Sequence, residues 1–152
     1  MTTSTLNTLL SEPEELGQNF DISSIRKLTL NGAASKETAL WCRRTFQIDI
    51  GTSWMQPETG TPITLNQNCL TSPPESIGKP LHGLNISVID DEFNKVESNV
   101  RGHIVVQSDW PPMFDAYWNN QGLYDSKFFN RWYLTEKQGL IDQDGYVFLT
   151  DS

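Results

Sequence analysis

At 152 residues the chain has the length of one domain, with room for a single hydrophobic core. Five Trp, seven Phe and four Tyr in a composition that is 37% hydrophobic exclude a wholly disordered chain, which needs low hydrophobicity and few aromatics. The formal net charge of −8 excludes general binding to nucleic acid or to anionic membrane surfaces, both of which require a basic face.

Residues 1–20 form a polar lead-in with scattered leucines; Leu6, Leu9 and Leu10 fall on one face of a short helix that Pro13 limits. Residues 25–30 alternate as a strand does, and Asn31-Gly32 ends it. Ser35 is an N-cap for a helix in which Ala39, Cys42 and Phe46 lie near one face. Residues 47–50 read as a short strand leading into Gly51, which completes a strand–helix–strand unit of a parallel α/β sheet. Pro57, Pro62, Pro73, Pro74 and Pro80, with Gly60, Gly78 and Gly83, mark residues 56–83 as a long irregular stretch. A compact domain keeps such a stretch for a functional reason.

Residues 84–90 and 103–107 are expected strands, joined through an acidic turn at 91–94. Residues 128–135 and 146–150 are further strands, with Asp142-Gln143-Asp144-Gly145 as a hairpin turn. The fold class is therefore α/β followed by β-rich, a strand–helix–strand part of a parallel α/β sheet and then a small β-barrel or sheet. The lead-in precedes one partial domain over 21–152, α/β over 21–60 and β-rich over 80–152. Ser152 follows directly on a strand, which points to a piece of something larger.

The opening Met-Thr-Thr-Ser-Thr-Leu has neither a basic signal region nor an Arg-rich transit character, and no apolar run reaches the roughly 18–20 residues of a membrane helix. An intracellular protein, cytosolic or of the mitochondrial matrix, is expected. Cys42 and Cys69 are expected as free reduced thiols. The Asn85-Ile86-Ser87 sequon is expected to stay unmodified. His82 and His103 lack metal-ligand spacing, Asp142 and Asp144 belong to a hairpin rather than a calcium loop, and Asp90, Asp91 and Glu92 form a solvated turn. Trp110, Trp118 and Trp132 are assigned to core packing rather than to a sugar-binding face.

The informative stretch is Trp54-Met55-Gln56-Pro57-Glu58-Thr59-Gly60, placed straight after the second strand. Open α/β sheets bind ligands beyond the carboxyl ends of their strands. The stretch offers an amide, a carboxylate suited to Mg²⁺, a hydroxyl and a stacking ring. Those residues alone leave two readings open, a nucleotide–metal loop and an ordinary polar turn.

This stretch resembles the Trp-Trp-Gln-Thr-Glu-Thr-Gly signature of the AMP-forming short-chain acyl-CoA synthetases, the acetyl- and propionyl-CoA synthetases of the adenylate-forming superfamily. Thr61-Pro62-Ile63-Thr64 continues it in the propionyl manner. Ser76-Ile77-Gly78-Lys79-Pro80 with Gly83 is similar to the family's Gly-Lys-Pro turn, before a strand ending Ile89-Asp90-Asp91. Arg101-Gly102-His103-Ile104-Val105-Val106 resembles its Gly-Asn-Ile-Val-Val strand, and Trp110-Pro111-Pro112 its Pro-Pro turn. Tyr117-Trp118 and Phe128-Phe129 fit its aromatic-rich helix. Gly139 followed by Asp142-Gln143-Asp144-Gly145-Tyr146 resembles its closing hairpin, so the likeness runs from Leu16 to Thr150.

The resemblance implies the C-terminal part of the large adenylate-forming domain, a partial parallel α/β sheet with a small distorted β-barrel, and a reaction in two halves. A carboxylate and Mg-ATP give an acyl-adenylate and pyrophosphate, and CoA then displaces AMP. Carried over by position, Glu58 would bind Mg²⁺, Trp54 and Gln56 would line the nucleotide or acyl pocket, and Gly32 would be the glycine of the adenine-binding turn.

Departures fall where that chemistry would be. Pro57 replaces a Thr that faces the phosphates, Ala33 a Glu beside adenine, Thr52 an Asp, and Met55 the second Trp, which leaves a longer acyl pocket. Lys137 stands where the family has its ribose-binding Asp. Glu136 beside it is expected on the opposite face of the strand. Ser152 falls near the family's hinge Arg, and nothing resembles the phosphate loop or the C-terminal domain with its lysine.

The chain is thus expected to be a segment of such a ligase, inactive as it stands, with no catalytic residue of its own. The alternative is a non-catalytic remnant that binds a nucleotide, an acyl-CoA or an intact relative. Expected partners are ATP or AMP, a short-chain acyl group, and the missing domains or a homologous synthetase in trans. Residues 20–60 are expected to be less stable than 80–150, or to oligomerise through unpaired strand edges.

Overall fold

The computed structural model describes residues 3–12 and 20–150; Pro13, Leu16 and Ser152, on which a helix stop, the start of the likeness and a hinge position fell, lie outside them. The chain divides into two compact units, one of Met1–Trp54 with Leu65–Gly78 and one of Met55–Thr64 with Lys79–Ser152.

The first unit is α/β. Its first helix, α1 (Thr3–Ser11), buries Leu6, and Leu9 and Leu10 pack against the same core. Strand β1 (Leu28–Asn31) pairs in parallel with β2 (Ile50–Met55), Leu28 facing Ile50 and Asn31 facing Ser53. Between them runs α2 (Lys36–Phe46). Ser35 Oγ accepts the Thr38 amide at 3.1 Å and caps its start. Glu37 in the first turn and Arg43 and Arg44 in the last complement the helix dipole. Ala39, Trp41 and Cys42 face inward and join Leu6, Leu30, Ala34, Ile50 and Cys69 in one core.

The second strand begins later than its alternation suggests. Gln47 takes a left-handed conformation, φ 57°, and returns its amide to the Arg43 carbonyl. Asp49 is held by Arg43 on one oxygen and by Asn68 Nδ2 at 2.8 Å on the other. These contacts keep 47–49 out of the strand. β2 therefore starts at Ile50 and carries Trp54 and Met55 within it, so the informative stretch begins inside the strand rather than after it. β1 is likewise shorter than expected, with 25–27 outside it.

The second unit is β-rich. An antiparallel sheet takes the order β5-β6-β8-β7, with β9 also on β8. Its strands are β5 (Ile86–Ile89), β6 (Gly102–Gln107), β7 (Phe128–Phe129), β8 (Trp132–Ile141) and β9 (Val147–Leu149). Val88, Ile104, Val106, Tyr133 and Val147 are buried. The β8–β9 hairpin turns on Asp142, whose Oδ1 accepts the amides of Asp144 at 3.0 Å and Tyr146 at 2.8 Å. The acidic turn uses the same device, Asp90 Oδ1 accepting from Glu92 and Asn94.

Within 56–83, expected to be irregular, lie β3 (Pro62–Asn66) and β4 (Lys79–Pro80), which pair with each other. Pro62 is compatible because it takes the first strand position, where a missing amide is tolerated. Residues 128–135 are not one strand, since a turn through Asn130, φ 52°, separates β7 from β8. The helix in this region, α3 (Gln121–Ser126), contains neither aromatic pair assigned to one. Trp118 is 92% exposed rather than part of a core, whereas Trp110 donates its indole N–H to Thr61 Oγ1 at 3.0 Å. Cys42 and Cys69 are free and buried, as expected. No helix among the described residues is long and apolar enough to cross a membrane.

Candidate functional site

Glu58 sits in a single 3₁₀ turn, Pro57–Thr59. Pro57 opens the turn, where its fixed φ suits the geometry and its missing N–H is not needed. Gly60 closes it at φ 65°, giving its amide to the Pro57 carbonyl at 3.2 Å. A side chain at Gly60 would place Cβ 2.1 Å from the Pro112 carbonyl oxygen, so only glycine allows this approach. Thr59 is buried, with Oγ1 2.9 Å from the carbonyl oxygens of both Gln56 and Thr61.

Distant residues fix the Glu58 and Gln56 side chains of the motif. Tyr117 donates its hydroxyl to Glu58 Oε1 at 2.8 Å, and the Phe114 amide donates to the Glu58 carbonyl at 2.9 Å. Tyr133 donates to Gln56 Oε1 at 3.2 Å, and Gln56 Nε2 donates to the Thr135 carbonyl at 2.9 Å. Aromatic rings back this cluster: Phe114 meets Tyr117 edge-on at 4.9 Å and Tyr124 at 5.1 Å, and Phe128 meets Tyr133 at 5.8 Å. Loss of hydration, and then the Glu58 carboxylate, push the Tyr117 phenol up to about 12. Tyr133 is pushed up as well, first by burial and then by Glu58, Tyr117 and Glu136.

Glu136 departs from the expected alternation. Ile104 pairs with Lys137 while the next residue, Val105, pairs with Leu134, so Thr135 and Glu136 bulge from β8. Glu136 takes φ 56° there, and its carboxylate pairs with Lys127 Nζ, which is 13% exposed. A two-residue bulge cancels the rule that neighbours point to opposite faces. Lys137 stays in the ladder with its amide on Thr135 Oγ1 at 3.2 Å.

The other two candidate residues lie in the first unit. Gly32 follows β1 at φ 116°, and its amide donates to the Ser53 carbonyl at 2.8 Å, one residue before Trp54. Trp54 is buried, while Met55 is exposed. Thr52, also buried, directs Oγ1 at the Ser76 carbonyl, 3.4 Å away. The structure therefore places Gln56 and Glu58 in one turn, and Gly32 and Trp54 at the ends of two paired strands.

Glu58 Oε2 takes no hydrogen bond among the described residues. No group of three or more His, Cys, Asp or Glu among them is placed to hold a metal ion. One carboxylate with a spare oxygen suits Mg²⁺ that keeps waters and takes its other ligands from phosphates; it does not suit a cation caged by protein alone. No local pattern marks Tyr117 or Tyr133 as partners, since 59 and 77 positions separate them from Glu58 and Gln56.

The family model for AMP-binding enzymes matches residues 1–118. The chain is 28% identical over 140 residues to acetyl-coenzyme A synthetase of Bacillus subtilis, covering 91% of this chain and 24% of that protein. It is 32% identical over 143 residues to the mitochondrial acyl-CoA synthetase short-chain family member 3 of Bos taurus, covering 88% and 21%. The chain thus spans less than a quarter of the length of these relatives. O-succinylbenzoate coenzyme A synthetase of Bacillus subtilis, solved with ATP and magnesium ion, superposes with a TM-score of 0.80 at 25% identity over 99% of this chain and 30% of that one. An anthranilate CoA ligase solved with anthranoyl-AMP shares the fold, with a TM-score of 0.84 at 22% identity over 98% and 28%.

Proposed function

The chain belongs to the AMP-binding enzyme family, and from that premise we propose that it is a segment of an AMP-forming acyl-CoA synthetase contributing a nucleotide–Mg²⁺ turn. One observation carries the reading: Glu58 is fixed through one carboxylate oxygen by Tyr117, and the other oxygen is left for a cation.

In the whole ligase, an acetate- or propionate-like carboxylate oxygen bonds to the α-phosphorus of ATP. The bond to the β-phosphate breaks, and pyrophosphate leaves. The CoA thiol then attacks the acyl carbonyl, its proton is released, a C–S bond forms, and AMP departs with the former acyl oxygen. Magnesium, when bound, neutralises phosphate charge as it develops. Glu58 would hold it, with Gln56 beside it locked at both ends of its amide. By resemblance alone, Trp54 would line the nucleotide or acyl pocket and Gly32 would belong to the adenine-binding turn. These groups position and stabilise; none of them exchanges a proton or forms a bond to substrate.

This chain alone does not complete the reaction in our reading, and the remaining domains or a homologous synthetase act in trans. A non-catalytic remnant that binds nucleotide, acyl-CoA or an intact relative is the second reading, and Lys137 favours it. An ammonium at the position that the resemblance gives to a ribose-binding carboxylate accepts no hydrogen bond from the ribose hydroxyls. The cytosol or the mitochondrial matrix suits both readings.

Calorimetric titration of the chain with Mg-ATP, and separately with AMP, tests the proposal. Saturable Mg-ATP binding that Glu58→Ala abolishes is expected; no heat with either nucleotide would refute a working turn.

A further inference from the structure

The segment 114–117 grips Glu58 twice, through the Phe114 amide on its carbonyl and the Tyr117 hydroxyl on its carboxylate. A tyrosine serving only the core would need any acceptor; this one takes a carboxylate oxygen from a residue whose backbone the same segment already holds. The neighbouring Trp118 is 92% exposed, so burial of that ring does not set the conformation here. Tyr117 instead packs edge-on against Phe114 at 4.9 Å, which fixes its ring and hence its hydroxyl.

We propose that Tyr117 is the positioning residue of Glu58, holding Oε1 so that Oε2 is presented to the cation of a divalent metal–nucleotide ligand. The proposal rests on the functional reading above. Two effects of the hydroxyl oppose each other. It draws some charge from the carboxylate, which weakens a metal bond; it also removes the rotamer freedom that a free glutamate loses on binding. The carboxylate keeps its full formal charge in either case, so ordering is the larger effect, and loss of the hydroxyl weakens binding.

The test is calorimetric titration of the full chain with Mn²⁺-ATP and with metal-free ATP, on the unmodified protein, Tyr117→Phe, Glu58→Gln, the double variant and Trp118→Ala. Tyr117→Phe is expected to weaken Mn²⁺-ATP about three- to tenfold, with metal-free ATP unaffected. Adding it to Glu58→Gln should cost nothing more, and Trp118→Ala should bind as the unmodified chain does. Unchanged Mn²⁺-ATP binding by Tyr117→Phe, or an equal loss with and without metal, overturns the inference. No Mn²⁺-ATP binding by the unmodified chain overturns the functional reading, and this inference with it. Ultraviolet titration of the phenols in Glu58→Gln gives a second check that needs no folded Tyr117→Phe. Tyr117 should ionise at lower pH there, and an unmoved titration would show that the contact is not made.

Discussion

Thr135 and Ile104 meet at 2.6 Å, the hydroxyl of the first donating to the carbonyl of the second at the point where the β6–β8 register breaks. The same Oγ1 accepts the Lys137 amide at 3.2 Å. One buried side chain thus bonds two backbone groups beside the bulge, where the ladder loses its regular register. Such groups must find partners when water is excluded. Thr135→Val keeps the shape and removes both bonds, and should destabilise the protein by about 1–3 kcal/mol. Thr135→Ser should recover most of that loss. Urea unfolding of the two variants decides the matter, and equal midpoints would show that the hydroxyl is not what holds the bulge.

Gln47 ends α2 in the left-handed region at φ 57°, with its side chain exposed. Glycine adopts that conformation without the Cβ clash that a glutamine bears. Gln47→Gly should therefore stabilise the first unit by about 0.5–1 kcal/mol, read as a rise in thermal midpoint. A fall would mean that the glutamine side chain contributes more at this cap than its backbone strain costs.

Gly60 makes the opposite prediction. Its φ of 65° and the 2.1 Å that would separate an added Cβ from the Pro112 carbonyl oxygen act together, because backbone on both sides resists movement. Gly60→Ala should destabilise by more than about 1 kcal/mol and shift the turn that carries Glu58. Chemical-shift changes centred on residues 56–61 and 110–114 are expected. A variant as stable as the parent would show that the 110–114 segment gives way freely.

Much of this architecture is legible locally, and what escapes does so for physical reasons. The Ser35 cap, the Asp142 hairpin and the alternating strands at 86–89 and 102–107 depend on neighbours within a few residues. Residues 47–49 read as strand because Ile48 and Ile50 alternate, whereas Asn68, nineteen positions on, and the helix-borne Arg43 decide the local conformation. β3 is hidden because proline ordinarily marks irregular chain, and only its place at the strand start makes Pro62 harmless. At the candidate site, Gln56 and Glu58 announce themselves through a resemblance. Tyr117, Tyr133 and the bulge at Glu136 arise from pairings across the unit that no local pattern encodes.

Sequestered thiols and phenols make the fold sensitive to alkali. Burial, and then the nearby Cys69, push the Cys42 thiol from 9.0 up to about 11, and burial pushes Cys69 up too. In the second unit Tyr117 rises from 10.0 to about 12, and Tyr133 rises as well. Each group is raised in the folded state, so the unfolded chain releases its proton first and stability falls as pH rises. The contribution of Cys42 is complete below about pH 9 and is lost by about pH 11; that of Tyr117 is lost between about pH 10 and 12. The Cys42 share has an upper bound of about 2–3 kcal/mol. Urea midpoints should therefore decline above about pH 9, more gently in Cys42→Ala than in the parent, whatever the variant costs at neutral pH. Both thiols, being buried, should resist a disulfide reagent at pH 8 in the folded protein and react in urea. Parallel pH profiles for parent and variant, or prompt thiol labelling without denaturant, would show that Cys42 is not sequestered in the first unit's core.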